Sequence, residues 1–387
     1  MVANYRTRIA DTPAEIALND WNGLLARQAR PTPFLRHEFL HALDAAGCAV
    51  AETGWAPQFV TLWRDTADGE VLAAAAPLYI KTHSYGEYVF DWAWAEAYQR
   101  HGLPYYPKML CAVPFTPVSG ARLLAEDEQA RAVLAATLVA FAEQAQVSSL
   151  HVLYPTGAET DALIAAGLMT RSSVQFHWLN AAYVDFEAFL ATLEQKKRKN
   201  IRAERRKVRE AGVTFRHIEG RHASDDDWRF FNRCYQQTYR EHQSSPYLNL
   251  EFFQRIAATM PDNLLLVIAE RAGRPVASSL LVYQREPDGG TLYGRYWGAV
   301  EHIPCLHFET AYYQPLEFCI AQGIATFEGG AQGEHKMARG FLPTVTHSAH
   351  WLAHPSFADA VARFVERESD GIEAYVDELR ERNPFKE

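Results

Sequence analysis

The sequence predicts an α/β protein of the α+β type, in which two domains each carry a mixed, mostly antiparallel sheet flanked by helices. The length of 387 residues is too great for one hydrophobic core of ordinary size and fits two domains. Helix-like and strand-like segments interleave along the chain, and each half contains a hairpin of two apolar strands, over residues 59–80 and 264–284. This repeated pattern predicts a boundary near Ala181, with domains over 1–180 and 181–387.

In the first half, apolar residues recur with the period of a helix in some segments and alternate as in a strand in others. The predicted elements are a helix over 37–46, strands over 58–63 and 71–80, a helix over 126–146, a strand over 149–153, a helix over 159–165 and a strand over 169–179. The segment from Thr82 to Arg122 is rich in Pro, Gly, Tyr and Trp, which predicts a long loop.

The second half echoes this order. The predicted elements are a long helix over 185–211, a strand over 213–218, helices over 224–241 and 250–259, strands over 264–270, 276–284 and 291–298, a helix over 308–322, a strand over 326–328 and a closing helix over 356–380. Gly212 follows the long helix at the position where a glycine commonly ends one.

The composition argues against several classes of protein. The longest uncharged apolar run, Ala132–Ala142, is shorter than the ~20 residues that cross a bilayer, and residues 1–20 show no secretory signal. Five cysteines without a C-x-x-C pair favour a reducing compartment, so we expect a cytoplasmic protein without a membrane span. The H-E-x-x-H, P-loop and G-x-S-x-G motifs are missing, so we expect no metal enzyme, P-loop ATPase or α/β-hydrolase.

The formal net charge of -9 argues against general nucleic-acid binding, but the charge is unevenly distributed. Between Lys196 and Arg209 lie nine basic residues and a single acid, Glu204. Apolar residues form only a narrow stripe on this predicted helix, and the cations lack the acidic partners that are usual at i,i+4. The run predicts contact with the phosphates of a donor; the alternative is a solvated helix.

Aromatic and ionisable residues lie close together in the predicted loop of the first half, over 83–92, 105–108 and 114–118. Long loops of this kind often carry binding residues. The sequence therefore predicts a substrate-binding surface here. The alternative is a packed loop whose polar groups satisfy its own backbone.

A second aromatic region covers residues 293–298 and 307–314. Helical spacing places Glu309 beside Tyr313. Glu309 is a candidate general base for an attacking amine, and a tyrosine can return a proton to the leaving group. The alternative is a carboxylate that only pairs with Arg295 or His307.

A glycine-rich turn with charged residues covers 327–341. Three glycines within five residues allow the backbone to approach a ligand and to point N–H groups at anionic oxygens. Lys336 and Arg339 supply matching positive charge for a donor phosphate or for the oxyanion of acyl transfer. This is the most site-like of the four segments.

Five motifs in these segments carry a family resemblance. They are residues 83–91 (HSYGEYVFD), 105–108 (YYPK), 113–118 (VPFTPV), 197–202 (KRKNIR) and 330–336 (GAQGEHK). They resemble the FemAB-like family, described as peptidoglycan biosynthesis/recognition, within the GNAT acyltransferase superfamily. The resemblance extends over about residues 34–350 and implies tandem GNAT-like domains with acceptor and donor sites in the cleft between them.

The resemblance implies a transferase that moves an acyl or aminoacyl group onto an amine. The implied donor is acyl-CoA or aminoacyl-tRNA, and the implied acceptor is an amine-bearing small molecule or a cell-wall precursor. Two other interpretations stay open: acetyl-CoA-dependent N-acetylation of a small amine, and a non-catalytic protein that binds a precursor. The chain lacks an intact GNAT pyrophosphate loop, Q/R-x-x-G-x-G/A, which tells against coenzyme A.

Motifs and resemblance together give a set of candidate site residues. The candidate catalytic residues are Glu309, Glu334, His335 and Lys336, with His307 as a competing base. The candidate substrate-binding residues are His83, Glu87, Asp91, Trp92, Tyr105, Tyr106, Lys108, Arg295, Trp297, His307 and Tyr313. The candidate cofactor-binding residues are Lys199, Arg202, Gln332, Gly333, Arg339 and Gly340.

Overall fold

A computed structural model gives the fold of residues 4–330 and 333–386, the parts of the chain that it describes. The first elements are β1 (Tyr5–Ala10), α1 (Leu18–Leu25), α2 (His37–Ala45), β2 (Trp55–Pro57), β3 (Phe59–Thr66), β4 (Gly69–Ala76), β5 (Leu78–Lys81), α3 (Trp92–Arg100), β6 (Lys108–Cys111), β7 (Leu124–Ala125), α4 (Glu128–Gln144), β8 (Ser149–Leu153) and α5 (Gly157–Ala165).

The chain continues through a second series. Its elements are β9 (Met169–Leu179), α6 (Phe186–Thr192), α7 (Gln195–Glu210), β10 (Val213–Glu219), α8 (Asp225–Glu241), α9 (Leu250–Thr259), β11 (Leu264–Arg271), β12 (Arg274–Gln284), β13 (Thr291–Ala299), α10 (Leu306–Phe308), α11 (Gln314–Gln322), β14 (Thr326–Glu328), β15 (Leu342–Leu352) and α12 (Pro355–Glu381). A π-helical turn, Glu309–Tyr313, joins α10 to α11, and a 3-10 turn, Glu334–Arg339, precedes β15.

The chain divides into two compact units. The first takes the chain up to Ser173 together with Val345–Ala374, and the second takes Val174–Thr344 together with the chain from Tyr375 onward. The units differ from the contiguous domains expected from the sequence, because β15 pairs with β8 and brings most of α12 into the first unit. No strand was predicted for residues 342–352, so the pairing of β15 with β8 was not expected.

The first unit contains two sheets. One has the order β1-β3-β4-β7 and is antiparallel, and the other joins β15, β8, β6, β5 and β2, with β8 and β6 parallel and the other pairs antiparallel. Helix α4 packs its buried alanines and leucines against these strands, where Val60, Leu62, Leu134, Leu138 and Leu150 share one core.

The second unit contains one mixed sheet in the order β10-β11-β12-β13-β14-β9. Its strands are antiparallel except for β13 and β14, which are parallel and pair through Thr291–Tyr293 and Thr326–Glu328. Strand β13 runs on to Ala299 along β12 and carries a bulge at Arg295. Trp178, Phe189, Tyr313, Phe327 and Phe341 lie in the main core of this unit.

Three predicted elements need correction. The helix expected over 185–211 is divided into α6 and α7, because Leu193 is extended and fully buried between them. The strand expected over 71–80 is divided between two sheets at Pro77, which has no N–H to continue a ladder. The loop expected over 82–122 contains α3 and β6, because β6 pairs with both β5 and β8.

None of the helices in the described ranges combines the length and the apolar character that crossing a bilayer requires.

Candidate active site

The glycine turn of the second unit begins where β14 ends. A Cβ atom on Gly329 would lie 2.9 Å from Cε1 of Phe341 and 3.2 Å from Cδ of Lys336, so glycine at this position leaves room for the lysine side chain. Gly330, Gly333 and Gly340 have φ angles of 87°, 109° and 86°, which glycine adopts at little cost. The backbone turn therefore depends on the glycines seen in the sequence. Ala331 and Gln332 lie outside the described residues.

Lys336 is a buried lysine in this turn. Its side chain is buried, and Nζ donates a hydrogen bond to the carbonyl of Gly330 at 2.9 Å. Burial lowers the pKa of Lys336 to about 8, since the charged form loses its hydration. An amine with a pKa close to neutrality is typical of functional lysines.

Arg339 is held rigidly in the same turn. Its guanidinium donates to Oε1 and Oε2 of Glu204 at 3.1 and 2.9 Å and to the carbonyl of His335 at 2.7 Å. The guanidinium carbon lies 3.5 Å from the ring centre of Phe308. The hydroxyl of Tyr313 also donates to Glu204. Arg339 and Tyr313 are thus committed to Glu204, and their contacts are those of a support for the turn.

The two imidazoles beside the turn, His307 and His335, both have lowered pKa values. Burial, and then the charges of His335, Arg339 and Lys336, lower the pKa of His307 to about 4. Burial and the same two cations lower the pKa of His335, whose Nε2 lies 3.4 Å from the hydroxyl of Tyr312. A neutral imidazole can accept a proton, so the protonation state of His335 suits a base.

Glu309 is not placed as a free base. It is buried at the start of the π-helical turn, where Arg205 donates to both carboxylate oxygens over 2.9–3.2 Å and Gln314 donates to Oε1 at 2.7 Å. The partner is Arg205, not the Arg295 or His307 considered from the sequence. Single-turn π-helices are frequent at functional sites, and here the turn positions Tyr312 and Tyr313 on the side of Arg339.

Glu334 is also engaged. The hydroxyl of Tyr375 donates to Oε1 at 2.7 Å, and Arg382 donates to Oε2 at 3.3 Å. Both partners lie near the end of the chain, so these contacts attach the terminal segment to the turn.

Helix α7 has an inner face and an outer face. Ile201 and Val208 are buried, and Glu204 and Arg205 lie beside them, so these four residues form the inner face. The outer face carries the remaining cations. Among the described residues, no acidic partner is found for Lys196, Lys199, Lys207 or Arg209.

Two predicted cofactor residues lie on this helix. Lys199 lies on the outer face, and Arg202 pairs with the exposed Glu187 at 2.5 Å. Arg202 and Arg209 also line a cavity of about 580 Å³ between α7 and β10. Ion pairs this exposed contribute little and exchange readily with other anions. The outer face of α7 therefore remains available to a phosphate-bearing ligand.

The motifs of the first unit form a buried ionic cluster. Nζ of Lys108 donates to Oε2 of Glu87 and to Oγ of Ser84, both at 2.8 Å, and to Asp91. Tyr105 donates to Asp91 at 2.6 Å. Burial would lower the pKa of Lys108, but Glu87 and Asp91 outweigh it and raise this pKa.

The ionic cluster continues on both sides. The Tyr105 hydroxyl lies 3.1 Å from Nε2 of His151, whose Nδ1 lies 2.7 Å from Nδ1 of His350. On the other side, Nζ of Lys81 lies 3.9 Å from Oε1 of Glu87. Burial raises the pKa of Glu87 to about 7 and lowers that of Lys81 to about 7.

The predicted substrate-binding residues of the first unit therefore separate into two groups. Glu87, Asp91, Tyr105 and Lys108 are buried and contact one another. His83, Trp92 and Tyr106 reach the surface to different degrees, and Trp92 is 42% exposed. The exposed ring of Tyr85 lies 5.4 Å from His83 and 5.2 Å from Trp92, measured between ring centres.

In the second unit, the structure brings several predicted residues together and adds others. The ring centre of His307 lies 4.7 Å from that of Trp297 in a tilted arrangement, whereas Arg295 extends over the ring of Tyr296 at 5.0 Å. Sequence reasoning missed Glu204, Arg205, Phe308 and Tyr312 as site residues. A signal existed for Glu204, since it is the one acid in the cationic run.

A family model described as FemAB-like, peptidoglycan biosynthesis/recognition, matches residues 12–387. The chain belongs to the FemAB-like family. This match confirms the resemblance given by the five motifs.

Solved structures place this FemAB-like chain among tandem GNAT-like folds, which confirms the predicted fold class. FemX is 10% identical, with a TM-score of 0.54 and coverage of 90% of this chain and 98% of FemX. L-PGS from Bacillus licheniformis is 11% identical, with a TM-score of 0.52 and coverage of 92% and 99%. At these identities the likeness shows the fold alone. No curated protein sequence matches the chain significantly.

Proposed function

We propose that this FemAB-like protein is an aminoacyltransferase, which moves an aminoacyl group from aminoacyl-tRNA onto an amine. The observation that carries the proposal is the link between a cationic helix and a glycine turn within one unit. Glu204 of α7 binds Arg339 of the turn, and the turn holds the buried amine of Lys336. A polyanion bound along α7 would therefore contact the same helix that supports the turn.

The outer face of α7 supports a tRNA donor over acyl-CoA. A row of cations without acidic partners matches a phosphodiester backbone, which presents charges at regular intervals. The segment between β13 and α10 has no Q/R-x-x-G-x-G/A run and contains Glu301, whose charge would repel a pyrophosphate. Acyl-CoA is thus the weaker candidate.

The family description directs the acceptor toward an amine of a peptidoglycan precursor. FemX and L-PGS share the fold. In the first unit, His83, Trp92 and Tyr106 are proposed to contact the acceptor. Glu87 and Lys108, together with Asp91 and Tyr105, are proposed to fix the segment that carries those residues.

The proposed reaction is attack of a neutral amine on the ester carbonyl of the donor. A C–N bond forms, the C–O bond to the ribose oxygen breaks, and the proton of the amine is transferred to that oxygen. His335 is proposed to accept and return the proton, since its imidazole is neutral and exposed. Protonated Lys336 is proposed to stabilise the oxyanion, while Glu309 and Glu334 hold neighbouring segments.

Binding measurements with the full chain test the donor. We expect a fluorescently labelled aminoacyl-tRNA to bind with an affinity that falls steeply as salt is raised. Replacing Lys196, Lys199 and Lys207 together by Gln should reduce the salt slope by about one unit for each lost phosphate contact. Titration with acetyl-CoA in the same buffer should show no saturable binding.

A matched control separates the helix from total charge. Arg229, Arg240 and Arg274 are exposed cations of the second unit outside α7, and their joint replacement by Gln removes the same charge. This variant should keep the salt slope of the wild type. Equal loss in both variants, or saturable acetyl-CoA binding without tRNA binding, would contradict the aminoacyl-tRNA proposal.

A further inference from the structure

A second cavity lies in the same unit, between the end of β13 and the start of α10. Its volume is about 330 Å³. The residues that decide its chemistry are Glu241, Trp297, Glu301, His302, His307 and Phe308. This volume is large enough for a short alkyl chain with a polar end group.

The described lining of this cavity contains two carboxylates and neither Lys nor Arg. Glu301 shares its charge with Arg271, which is outside the lining. Glu241 accepts a hydrogen bond from Gln237 at 3.1 Å, and no cation pairs with it among the described residues. The cavity therefore carries an excess of negative charge, in contrast to the outer face of α7.

Aromatic rings form another wall of the cavity. Trp297 is partly exposed, and the ring centre of His307 lies 4.7 Å away at an interplanar angle of 38°. Because the imidazole of His307 is neutral at pH 7, it adds no positive charge. A cavity lined by carboxylates and an indole ring is a favourable environment for an organic cation.

The cavity adjoins the glycine turn through two residues. Phe308 lines the cavity and also stacks under the guanidinium of Arg339 at 3.5 Å. His307 lines it and lies 5.6 Å from the ring centre of Tyr312. A group bound in the cavity is thus next to the side chains that support Lys336.

We propose that this cavity binds the alkylammonium group of a substrate, with Glu241 and Trp297 as the recognising side chains. The inference rests on the proposed aminoacyl transfer, in which two partners carry an ammonium group. One is the acceptor amine, and the other is the aminoacyl group of the donor. Both share the chemistry that the cavity recognises, and the experiment distinguishes them.

Ligand-observed NMR on the full chain tests the inference. Pentylammonium should bind, and 1-pentanol, which has a similar size and no charge, should bind at least ten-fold more weakly. Glu241→Gln should weaken pentylammonium binding at least ten-fold, and Trp297→Leu should weaken it several-fold. Equal binding of alcohol and amine, or unchanged binding by Glu241→Gln, would overturn the proposal.

Glu251→Gln is the matched control, because Glu251 is an exposed helical glutamate of the same unit. It should leave pentylammonium binding unchanged. Thermal unfolding of each variant should match the wild type, which excludes loss of fold as the cause.

Kinetics with both substrates identify the source of the ammonium group. Pentylammonium that competes with the acceptor assigns the cavity to the acceptor amine, and competition with aminoacyl-tRNA assigns it to the aminoacyl group. If Glu241→Gln leaves the transfer rate unchanged, the cavity does not bind a substrate's ammonium group, but the proposed function stands. If the protein binds amines through Glu241 but has no transferase activity, the proposed function is wrong and the ammonium-binding cavity stands.

Discussion

Two buried lysines, Lys108 of the first unit and Lys336 of the second, differ in their surroundings. In the first unit, Lys108 is fully buried and donates to Glu87, Asp91 and Ser84, which keep it charged. In the second unit, Lys336 is nearly as buried, but burial lowers its pKa to about 8. The charge of Lys108 is compensated by carboxylates. The charge that Lys336 carries below pH 8 is disfavoured by burial.

This difference separates two uses of a buried charge. A charge that carboxylates compensate on several sides costs the fold little and fixes the segments that supply its partners. A buried amine whose charged form is disfavoured costs stability, and natural proteins retain such groups mainly at functional sites. We therefore propose that the ion pairs of Lys108 stabilise the first unit and that the turn around Lys336 takes part in chemistry. Lys81, which lies 3.9 Å from Glu87, has a pKa lowered by burial as Lys336 does, so this comparison concerns Lys108 and Lys336 alone.

The largest expected effect is on the stability of the first unit. Lys108→Met leaves Glu87 and Asp91 buried without their main cation, which should lower the free energy of unfolding by about 3–5 kcal/mol. Chemical denaturation followed by circular dichroism measures this change. Arg100→Met, at an exposed position, should change the free energy by less than about 0.5 kcal/mol.

A rescue variant tests the reason for this loss. Adding Glu87→Gln and Asp91→Asn to Lys108→Met removes the uncompensated charges and should restore part of the stability. A triple variant no more stable than Lys108→Met would show that packing, and not charge, explains the loss.

The next effect concerns Lys336 and has two opposite parts. Lys336→Met should reduce kcat by about 10²–10³-fold if the lysine stabilises an oxyanion. The same change should raise the free energy of unfolding at pH 7 by about 1–3 kcal/mol, because each unit of pKa shift costs about 1.4 kcal/mol and a hydrogen bond to Gly330 is lost. Steady-state kinetics and denaturation measure the two parts. Loss of both activity and stability would assign Lys336 to structure.

The pH dependence follows from the same shift. The pKa of Lys336 is about 8 in the folded protein, below the ordinary lysine value of 10.5. Between these values the unfolded chain binds more protons, so wild-type stability rises with pH relative to Lys336→Met. The difference in free energy of unfolding between Lys336→Met and the wild type should have its full value below pH 8. It should disappear by about pH 10.5. The activity of the wild type should fall as pH rises through about 8.

The sequence predicted most elements of the second unit because their patterns are local. The hairpin of β11 and β12 and the strand β14 lie close to their predicted bounds, since apolar β-branched residues and turn residues define them. In the first unit, α3 and β6 were not predicted, because they lie in a segment dense in aromatic residues that was expected to be a loop. Only pairing with β5 and β8, distant in sequence, makes β6 a strand.

The candidate site was predictable only in its local parts. The glycine turn and the basic run were visible because their residues are adjacent in sequence. The contacts that decide their roles are not local: Glu204 meets Arg339 over 135 positions, and Arg205 meets Glu309 over 104. The sequence therefore left open whether Glu309 is a base or an ion-paired carboxylate, and it could not distinguish the buried lysines without their neighbours.

The smallest expected effect tests whether α7 supports the turn in addition to binding the donor. Glu204→Gln removes the charge that holds Arg339 and Tyr313, so the turn should lose order while the outer face of α7 stays intact. We expect kcat to fall about ten-fold, which corresponds to about 1.4 kcal/mol in the barrier, with unchanged donor affinity and salt slope. Rapid kinetics with labelled aminoacyl-tRNA separates the two quantities.

Glu210→Gln provides the comparison on the same helix. Glu210 is exposed and pairs loosely with Arg206 at 3.8 Å, so its loss should leave kcat unchanged and should increase donor affinity slightly. The uncompensated charge of Arg339 in Glu204→Gln should also lower the pKa of His335 further, because Arg339 already lowers it. A titration of His335 by NMR that shows no such shift, with kcat intact, would mean that Glu204 belongs to the helix alone. The helix and the turn would then be two separate features, and the link that carries the aminoacyl-transfer proposal would be lost.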